Sequence, residues 1–221
     1  MLTATKITVR TLCVLAMLAG QQRAPDRTVI GSTIISSHDP QVRIQLPKSV
    51  EYVGADRWVL YDIADCELHA FVKTNPQKQV QRLYWVQFES YLPSRPDLHH
   101  TYDSIRHTTI GGLDFYVDTW VRAAAEKPAP GSDLEHINAL ITKKGFKLPS
   151  GMMYVRLVHL LDEQKRKELM IIYGESLENT GFTAADLDKG GKSYDRWLEL
   201  QPGLIERART KVQISESSAN R

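Results

Sequence analysis

The segment from Met152 to Ser176, MMYVRLVHLLDEQKRKELMIIYGES, constrains the fold more than any other part of the chain. It consists of two apolar runs around a polar turn at Asp162 to Arg166. The first run, Met152 to Leu161, is apolar at both alternating sets of positions, with Arg156 and His159 as the exceptions. A strand that is apolar on both faces is typical of the covered middle of a sheet. We therefore predict two central, antiparallel strands here, packed on both sides.

Several other segments alternate with the two-residue period of a β-strand. The sequence VRIQLP places Val42, Ile44 and Leu46 on one face before Pro47 ends the strand. A polar Asn-Pro turn at 75–79 separates two β-rich runs, which is a hairpin signal. The predicted strands outside the central pair are Thr28 to Ser36, residues 42–46, Arg57 to Asp62, Asp65 to Thr74, Val80 to Tyr91 and Gly112 to Trp120.

The apolar period changes to about 3.6 residues in PAPGSDLEHINALITKKG, which predicts an α-helix. Ser132 and Glu135 have the spacing of a capping box, and Gly145 stands where a helix of this kind ends. Two more helices are predicted near the carboxyl end, one around Trp197 and another that begins at Pro202, a residue suited to a first helical position.

Strands joined by tight turns, with helices inserted and appended, predict an α+β fold in which helices pack on an antiparallel β-sheet. The length of the chain suits a single domain, which we place at residues 41–214. Residues 21–40 are predicted to be an N-terminal linker or edge strand, and residues 215–221 a disordered tail.

The segment VRIQLP, a short extended stretch that enters an antiparallel sheet with helices on its faces, resembles the start of Mog1/PsbP-like α+β domains. The resemblance covers this motif and the order of the elements. It brings no catalytic motif with it, and it implies a role in binding or assembly.

The first 20 residues have the order of a secretory signal peptide. Lys6 and Arg10 precede an uncharged run from Thr11 to Gly20 that is too short to span a bilayer, which takes about 20 apolar residues. We predict export to the bacterial periplasm or outside the cell, with no transmembrane segment after cleavage. The alternative is a buried N-terminal helix of a cytoplasmic protein.

Removal of residues 1–20 leaves a mature chain without net charge. The 28 Lys and Arg residues fall to 26, by loss of Lys6 and Arg10, and so equal the 26 Asp and Glu residues. This balance does not favour a nucleic-acid partner, which would need clustered cations. Cys13 leaves with the leader, so that Cys66 is the only thiol and no intramolecular disulfide can form.

The stretch DCELHA within the predicted strand 65–74 carries residue types that occur in metal sites and in covalent catalysis. Strand alternation places Asp65, Glu67 and His69 on one face and Cys66 on the other. Cys66 and His69 then point apart and cannot form a catalytic pair, so we interpret Cys66 as a small buried residue. The acidic and imidazole side chains are predicted to face solvent, since alternating polar residues are typical of a half-exposed antiparallel strand. A metal site here would need further ligands from another strand.

The segment DLHHTYDSIRH is the densest in histidine. If it were helical, His99, Asp103 and His107 would stack one turn apart and could clamp a metal or shuttle protons. Because it follows Pro93-Ser94-Arg95-Pro96, we predict an exposed loop instead. His159 shares its strand face with apolar residues, and we predict a hydrogen-bonded core histidine.

The strand VQRLYWVQFESYLP mixes aromatic and polar side chains on both faces. Tyr84, Trp85 and Phe88 could therefore line a ligand pocket, and the alternative is that they are ordinary sheet core. The GGKS sequence at 190–193 lacks the first glycine and the preceding strand of a phosphate-binding loop, so we reject that interpretation.

These patterns favour an exported, soluble, non-catalytic domain of the cell envelope that binds a protein partner or a small ligand. We expect no cofactor and no bound metal. The alternative is an enzyme, with or without a metal, that uses histidine and carboxylate groups. Its candidate residues are Glu67, His69, His99, His100 and His107.

Overall fold

The computed structural model describes residues 23–124 and 126–217. The predicted leader, residues 1–20, lies outside the described residues. The strands are β1 (Thr28–Ile30), β2 (Thr33–Ser37), β3 (Gln41–Gln45), β4 (Glu51–Leu60), β5 (Ala64–Thr74), β6 (Val80–Tyr91), β7 (His107–Ile110), β8 (Leu113–Ala123), β9 (Gly151–Leu160), β10 (Lys167–Ser176) and β11 (Gln213–Glu216). The helices are α1 (Asp133–Lys143), α2 (Ala184–Leu187) and α3 (Tyr194–Lys211). Within these described ranges, no helix is long and apolar enough to cross a bilayer.

Seven strands form an antiparallel sheet in the order β4-β5-β6-β10-β9-β8-β7. The two central strands that the sequence predicts between Met152 and Ser176 are β9 and β10, with Leu157 opposite Ile171. Both of these side chains are fully buried, as the apolar pattern indicates. The predicted hairpin of β5 and β6 is also confirmed. An α+β class dominated by antiparallel sheet is therefore correct.

One face of the seven-stranded sheet packs against a second sheet, with four strands in the order β1-β2-β3-β11. Val42, Ile44 and Leu46, which alternation places on one face, are buried between the two sheets. Apolar side chains of α2 and α3 join the same cluster. We call this cluster the inner core, and the side of the seven-stranded sheet that faces it the inner face. The sequence predicts a sheet that is covered by helices alone. The second sheet is therefore a feature that the prediction lacks.

The opposite side, the outer face, is covered by α1, whose Ile137 and Ile141 are buried against it. The predicted helix is confirmed, and Ser132 is its N-cap, accepting a hydrogen bond from the Glu135 backbone N–H at 3.4 Å. The Glu135 carboxylate accepts from the N–H of Gly131 at 2.7 Å instead of from Ser132. The predicted capping box is thus half formed. We call the cluster of buried apolar side chains between α1 and this face the outer core.

Helix α3 corrects the prediction that a new helix begins at Pro202. It runs from Tyr194 to Lys211 with Pro202 in its interior. A proline there removes one backbone hydrogen bond. Trp197, Leu204 and Ala208, which lie on both sides of the proline, all pack into the inner core. One continuous apolar stripe therefore holds both halves of the helix against the same surface.

The ends of the described chain pair with the rest of the fold. The segment 21–40, predicted as a linker or edge strand, contains β1 and β2, and β1 is an edge strand of the smaller sheet. Ser215 and Glu216 belong to β11 and not to a disordered tail, because Ile214 is buried in the inner core opposite Ile44. Residues 218–221 lie outside the described residues. The division into one domain at 41–214 stays a prediction.

Candidate ligand-binding pocket

The alternation predicted for β5 is confirmed, but the predicted exposure of one of its faces is wrong. Cys66 lies on the outer face, with Leu68 and Ala70 in the outer core. Glu67 and His69 lie on the inner face, where their exposed fractions are 2% and 0%. They are buried because the segment before β1 and the four-stranded sheet cover this end of β5, a tertiary contact that alternation alone cannot reveal.

Glu67 fastens the N-terminal segment to the seven-stranded sheet. Its carboxylate accepts hydrogen bonds from the backbone N–H of Asp26 at 2.8 Å and of Arg27 at 2.9 Å. The Arg27 guanidinium lies 3.2 Å from the same carboxylate and 4.1 Å from the centre of the Phe88 ring. Burial by itself would raise the pKa of Glu67, but hydrogen bonds from His69 and from the two backbone N–H groups outweigh it and lower the pKa to about 2.

His69 connects Glu67 to Tyr52 in a carboxylate–imidazole–hydroxyl series. His69 Nε2 lies 2.8 Å from Glu67 Oε1, and His69 Nδ1 lies 3.2 Å from the Tyr52 hydroxyl. Burial, with the charge of Glu67, raises the pKa of Tyr52 to about 12, which keeps the hydroxyl protonated. The adjoining cavity, of about 160 Å³, is lined by Glu67 and Phe88 but by neither His69 nor Tyr52. The series therefore has the geometry of a structural network whose hydroxyl does not line this cavity.

The other three histidine candidates lie apart from Glu67 and His69. His99 is exposed in the irregular segment before β7, which confirms the predicted loop at that position. His100 is buried in the same segment, contrary to the prediction, and its Nδ1 lies 3.1 Å from Glu168 Oε2. His107 begins β7 and pairs with Asp114 at 2.9 Å.

The His100–Glu168 pair packs toward the outer face, whereas Glu67 and His69 pack toward the inner face, so the sheet separates the two groups. Burial lowers the pKa of His100 to about 4, and burial together with Glu89 raises the pKa of Glu168 to about 8. Both groups are therefore uncharged near neutral pH. Among residues 23–124 and 126–217, no cluster of three His, Cys, Asp or Glu side chains could hold a metal ion.

Cys66 is placed as the sequence predicts, whereas the prediction of a core position for His159 is wrong. Cys66 is fully buried, and burial with the neighbouring Glu89 raises the pKa of its thiol, which disfavours the reactive thiolate. His159 is hydrogen-bonded, with its Nδ1 at 2.8 Å from the Asp114 carbonyl oxygen, although it is only partly buried. Neither side chain takes part in a catalytic pair with another candidate.

The aromatic residues predicted on β6 divide between the two faces. Tyr84 and Phe88 are buried in the inner core, and Phe88 also lines the cavity of about 160 Å³ beside Glu67. Trp85 lies on the outer face and lines a cavity of about 280 Å³ between α1 and the sheet. We call this cavity the outer pocket. Its lining is Leu83, Trp85, Trp120, Arg122, Ser132, Asp133, Leu134, Ile137, Asn138, Leu148, Tyr154, Arg156, Met170 and Ile172.

The apolar wall of the outer pocket is built by register between neighbouring strands. Ile172 of β10 stands opposite Trp85 of β6, and Trp120 of β8 stands opposite Tyr154 of β9. The Trp120 and Tyr154 rings are stacked, with centres 5.1 Å apart. The Tyr154 ring lies over Gly174, where a Cβ atom would come within 2.9 Å of it. Glycine at 174 therefore provides the space that Tyr154 occupies.

A chain of hydrogen bonds beside the pocket orients Trp85. Its Nε1–H donates to Gln87 Oε1 at 2.9 Å, and Gln87 Nε2 donates to Glu89 Oε2 at 3.2 Å. Gln87 also interacts with the Asp133 side chain at the start of α1. Gln87 is fully buried, so this amide connects the aromatic wall to the helix that closes the pocket.

Two arginines line the pocket, and both are paired. Arg156 Nη2 lies 2.6 Å from Asp118 Oδ2, and the Arg156 guanidinium lies 5.1 Å from the centre of the Tyr102 ring. Arg122 Nε lies 2.9 Å from Glu126 Oε2, so the two side chains form an ion pair. The Nε–H group does not point at the carboxylate oxygen and makes no hydrogen bond within the described chain. The pocket thus has apolar and aromatic walls with a few polar groups, which is typical of small-ligand sites.

The sequence indicates only part of this pocket. Trp85 belongs to the aromatic strand singled out in the sequence, and Arg156 interrupts an otherwise apolar run. Asp133, by contrast, has the pattern of an ordinary acidic residue in the first turn of a helix. Comparison with known proteins adds no further identification, since no family model, no curated protein and no solved structure matches the chain. Functional inference for this chain therefore depends on the geometry of the pocket.

Proposed function

We propose that this chain is an exported, non-catalytic domain that binds a small, mainly apolar ligand in the outer pocket. The observation that carries the proposal is the concave space of about 280 Å³ between α1 and the sheet, walled by Trp85, Trp120 and Tyr154. Pockets that bind small molecules are apolar clefts with a small number of orienting polar groups. A cavity of this size suits a ligand of one to three rings.

The pairing of the candidate catalytic groups supports binding over catalysis. Glu67 is occupied by two backbone N–H groups, Arg27 and His69. Glu168, whose pKa of about 8 would suit proton transfer, accepts from the Tyr102 hydroxyl at 2.6 Å and does not line the outer pocket. A general acid or base has to reach the substrate, so these groups are better explained as parts of the folded interior.

Export is supported by the composition of residues 1–20. Mass spectrometry of the protein recovered from its native cells tests this part of the proposal. A mature amino terminus near Gln21 or Ala24, in protein recovered outside the cytoplasm, is the expected result. A cytoplasmic protein that retains Met1 to Gly20 would contradict export without affecting the pocket.

Ligand binding can be tested with N-phenyl-1-naphthylamine, an apolar probe whose fluorescence increases when it enters an apolar environment. Asn138 lines the pocket, whereas Ala139, its neighbour on α1, is exposed to solvent. Asn138→Trp should fill the cavity and weaken probe binding by at least about tenfold, because an added indole would occupy most of a space this small. Ala139→Trp, the matched control, should bind as the parent does.

Two results would contradict the pocket as the site. One is an absence of probe binding by the parent protein, and the other is equal binding by both tryptophan variants. Circular dichroism and thermal unfolding of each variant would establish that it is folded before binding is compared.

A further inference from the structure

Asp133, the first residue of α1, lines the outer pocket, and one oxygen of its carboxylate has no hydrogen-bond partner among the described residues. Its Oδ1 atom is buried, and no protein group in the described part of the chain donates a hydrogen bond to it. A buried acceptor that lacks a donor is costly, by roughly 1–3 kcal/mol, and such groups in native proteins call for an explanation. A ligand that donates a hydrogen bond to the Asp133 carboxylate would supply one.

The other charged groups of the pocket already have partners of opposite sign. Arg156 is paired with Asp118 and Arg122 with Glu126. Asp133 is the carboxylate of the pocket that has no ion-pair partner within residues 23–124 and 126–217, and burial raises its pKa although Gln87 and the nearby His136 act in the opposite direction. A positive group placed beside it would be both a hydrogen-bond donor and a closer countercharge.

The walls next to Asp133 suit the same kind of ligand. Trp85, Trp120 and Tyr154 line the cavity that Asp133 borders. Aromatic rings attract organic cations and also pack well against the apolar or aromatic body that carries them. A carboxylate combined with indole and phenol rings therefore favours a small organic amine.

Building on the ligand-binding function proposed above, we propose that the outer pocket selects a protonated primary amine with an apolar or aromatic body, whose ammonium group donates a hydrogen bond to the Asp133 carboxylate. The body of the ligand lies against Trp85, Trp120 and Tyr154.

Three probes of similar size separate the contributions. They are 2-phenylethylamine, its neutral isostere 2-phenylethanol, and the anion 3-phenylpropanoate, with binding measured by calorimetry near pH 7. The parent protein should bind the amine about tenfold more tightly than the alcohol, since a charge-assisted hydrogen bond is about twice as strong as a neutral one. The anion should bind most weakly.

Substitution of one atom tests the role of Asp133. Asp133→Asn keeps the shape of the side chain and should reduce the preference for the amine to about threefold or less, while binding of the alcohol stays within about twofold of the parent. Glu135→Gln removes an exposed carboxylate from the same turn and is the matched control. It should keep the full preference.

The outcomes distinguish the inference from the function on which it depends. If none of the three probes binds, the pocket itself is refuted as a ligand site. If the alcohol binds but the amine has no advantage, or if the advantage survives in Asp133→Asn, ligand binding stands and the selection of amines is refuted. Tighter binding of 3-phenylpropanoate would assign the recognition to Arg122 and Arg156 and would overturn the inference in the same way.

Discussion

Replacing Glu67 by glutamine should destabilise the fold in a manner that depends on pH. The carboxylate is 2% exposed and accepts four hydrogen bonds, from Asp26, from the backbone and the side chain of Arg27, and from His69. The amide of glutamine has the same shape but only one oxygen that can accept hydrogen bonds. Its NH₂ group is itself a donor and would face some of the donors that now bind the carboxylate. The substitution therefore removes the negative charge and leaves the buried Arg27 guanidinium without its carboxylate partner, with only neutral acceptors such as the Asp39 carbonyl oxygen.

The expected magnitude follows from the pKa of Glu67, which falls from an ordinary value of 4.5 to about 2 in the folded protein. A difference of that size corresponds to about 3 kcal/mol of folding free energy, which solvent screening reduces to about 2 kcal/mol. Because the folded pKa is the lower one, the stabilisation is fully present above about pH 4.5 and is lost as the pH falls toward 2. The glutamine variant lacks this contribution at every pH.

Urea unfolding of the parent and of Glu67→Gln, from about pH 7 down to pH 3, measures the effect. We expect a gap in unfolding free energy of about 2–3 kcal/mol at pH 7, of which roughly half disappears between pH 5 and pH 3. Glu163→Gln, at an exposed position in the turn between β9 and β10, is the control and should leave stability within about 0.5 kcal/mol. A gap below about 1 kcal/mol, or one that does not change with pH, would refute the ion-pair explanation.

Two further predictions concern the outer face. Gly174→Ala would bring a Cβ atom within 2.9 Å of Tyr154 Cε1, so the Tyr154 ring must move. We expect a loss of about 1–3 kcal/mol in unfolding free energy and several-fold weaker binding of N-phenyl-1-naphthylamine. Gly203→Ala, at an exposed position of α3, is the control and should leave probe binding unchanged, so equal binding by Gly174→Ala would contradict the proposed pocket wall. In a Cys13→Ser chain, Cys66 should react with 5,5′-dithiobis(2-nitrobenzoate) only as fast as the protein unfolds, because its thiol is fully buried and burial raises its pKa. Rapid reaction of the native protein would show that the segment around Cys66 opens without global unfolding.

The elements that could be predicted from the sequence are those whose pattern is local. The polar turn at 162–166, the Asn-Pro turn at 75–79 and the cap at Ser132 each depend on a few adjacent residues, and each lies where the sequence indicates. The apolar run through Leu157 correctly predicts a strand covered on both sides, because only a central strand can bury both of its faces.

The errors concern contacts between residues that are far apart in the chain. Glu67 and His69 alternate as an exposed face would, but Asp26 and Arg27, about 40 positions earlier, cover Glu67. Pairing of β11 with β3 joins segments about 170 residues apart, so the sequence around Ile214 does not reveal it. The outer pocket combines α1 with four strands, and a single strand such as β6 shows only Trp85 of its wall.

The most direct test of the proposed ligand site is to follow the four indole N–H signals of the protein by ¹H–¹⁵N NMR during titration with 2-phenylethylamine. Trp85 and Trp120 line the outer pocket, Trp58 stacks on His136 with ring centres 4.0 Å apart, and Trp197 is buried in the inner core across the sheet. We predict that the Trp85 and Trp120 signals shift together and saturate, while the Trp197 signal stays in place. A saturating shift of Trp197 alone, or no shift of any indole at concentrations that saturate other amine-binding proteins, would contradict the outer pocket as the ligand site.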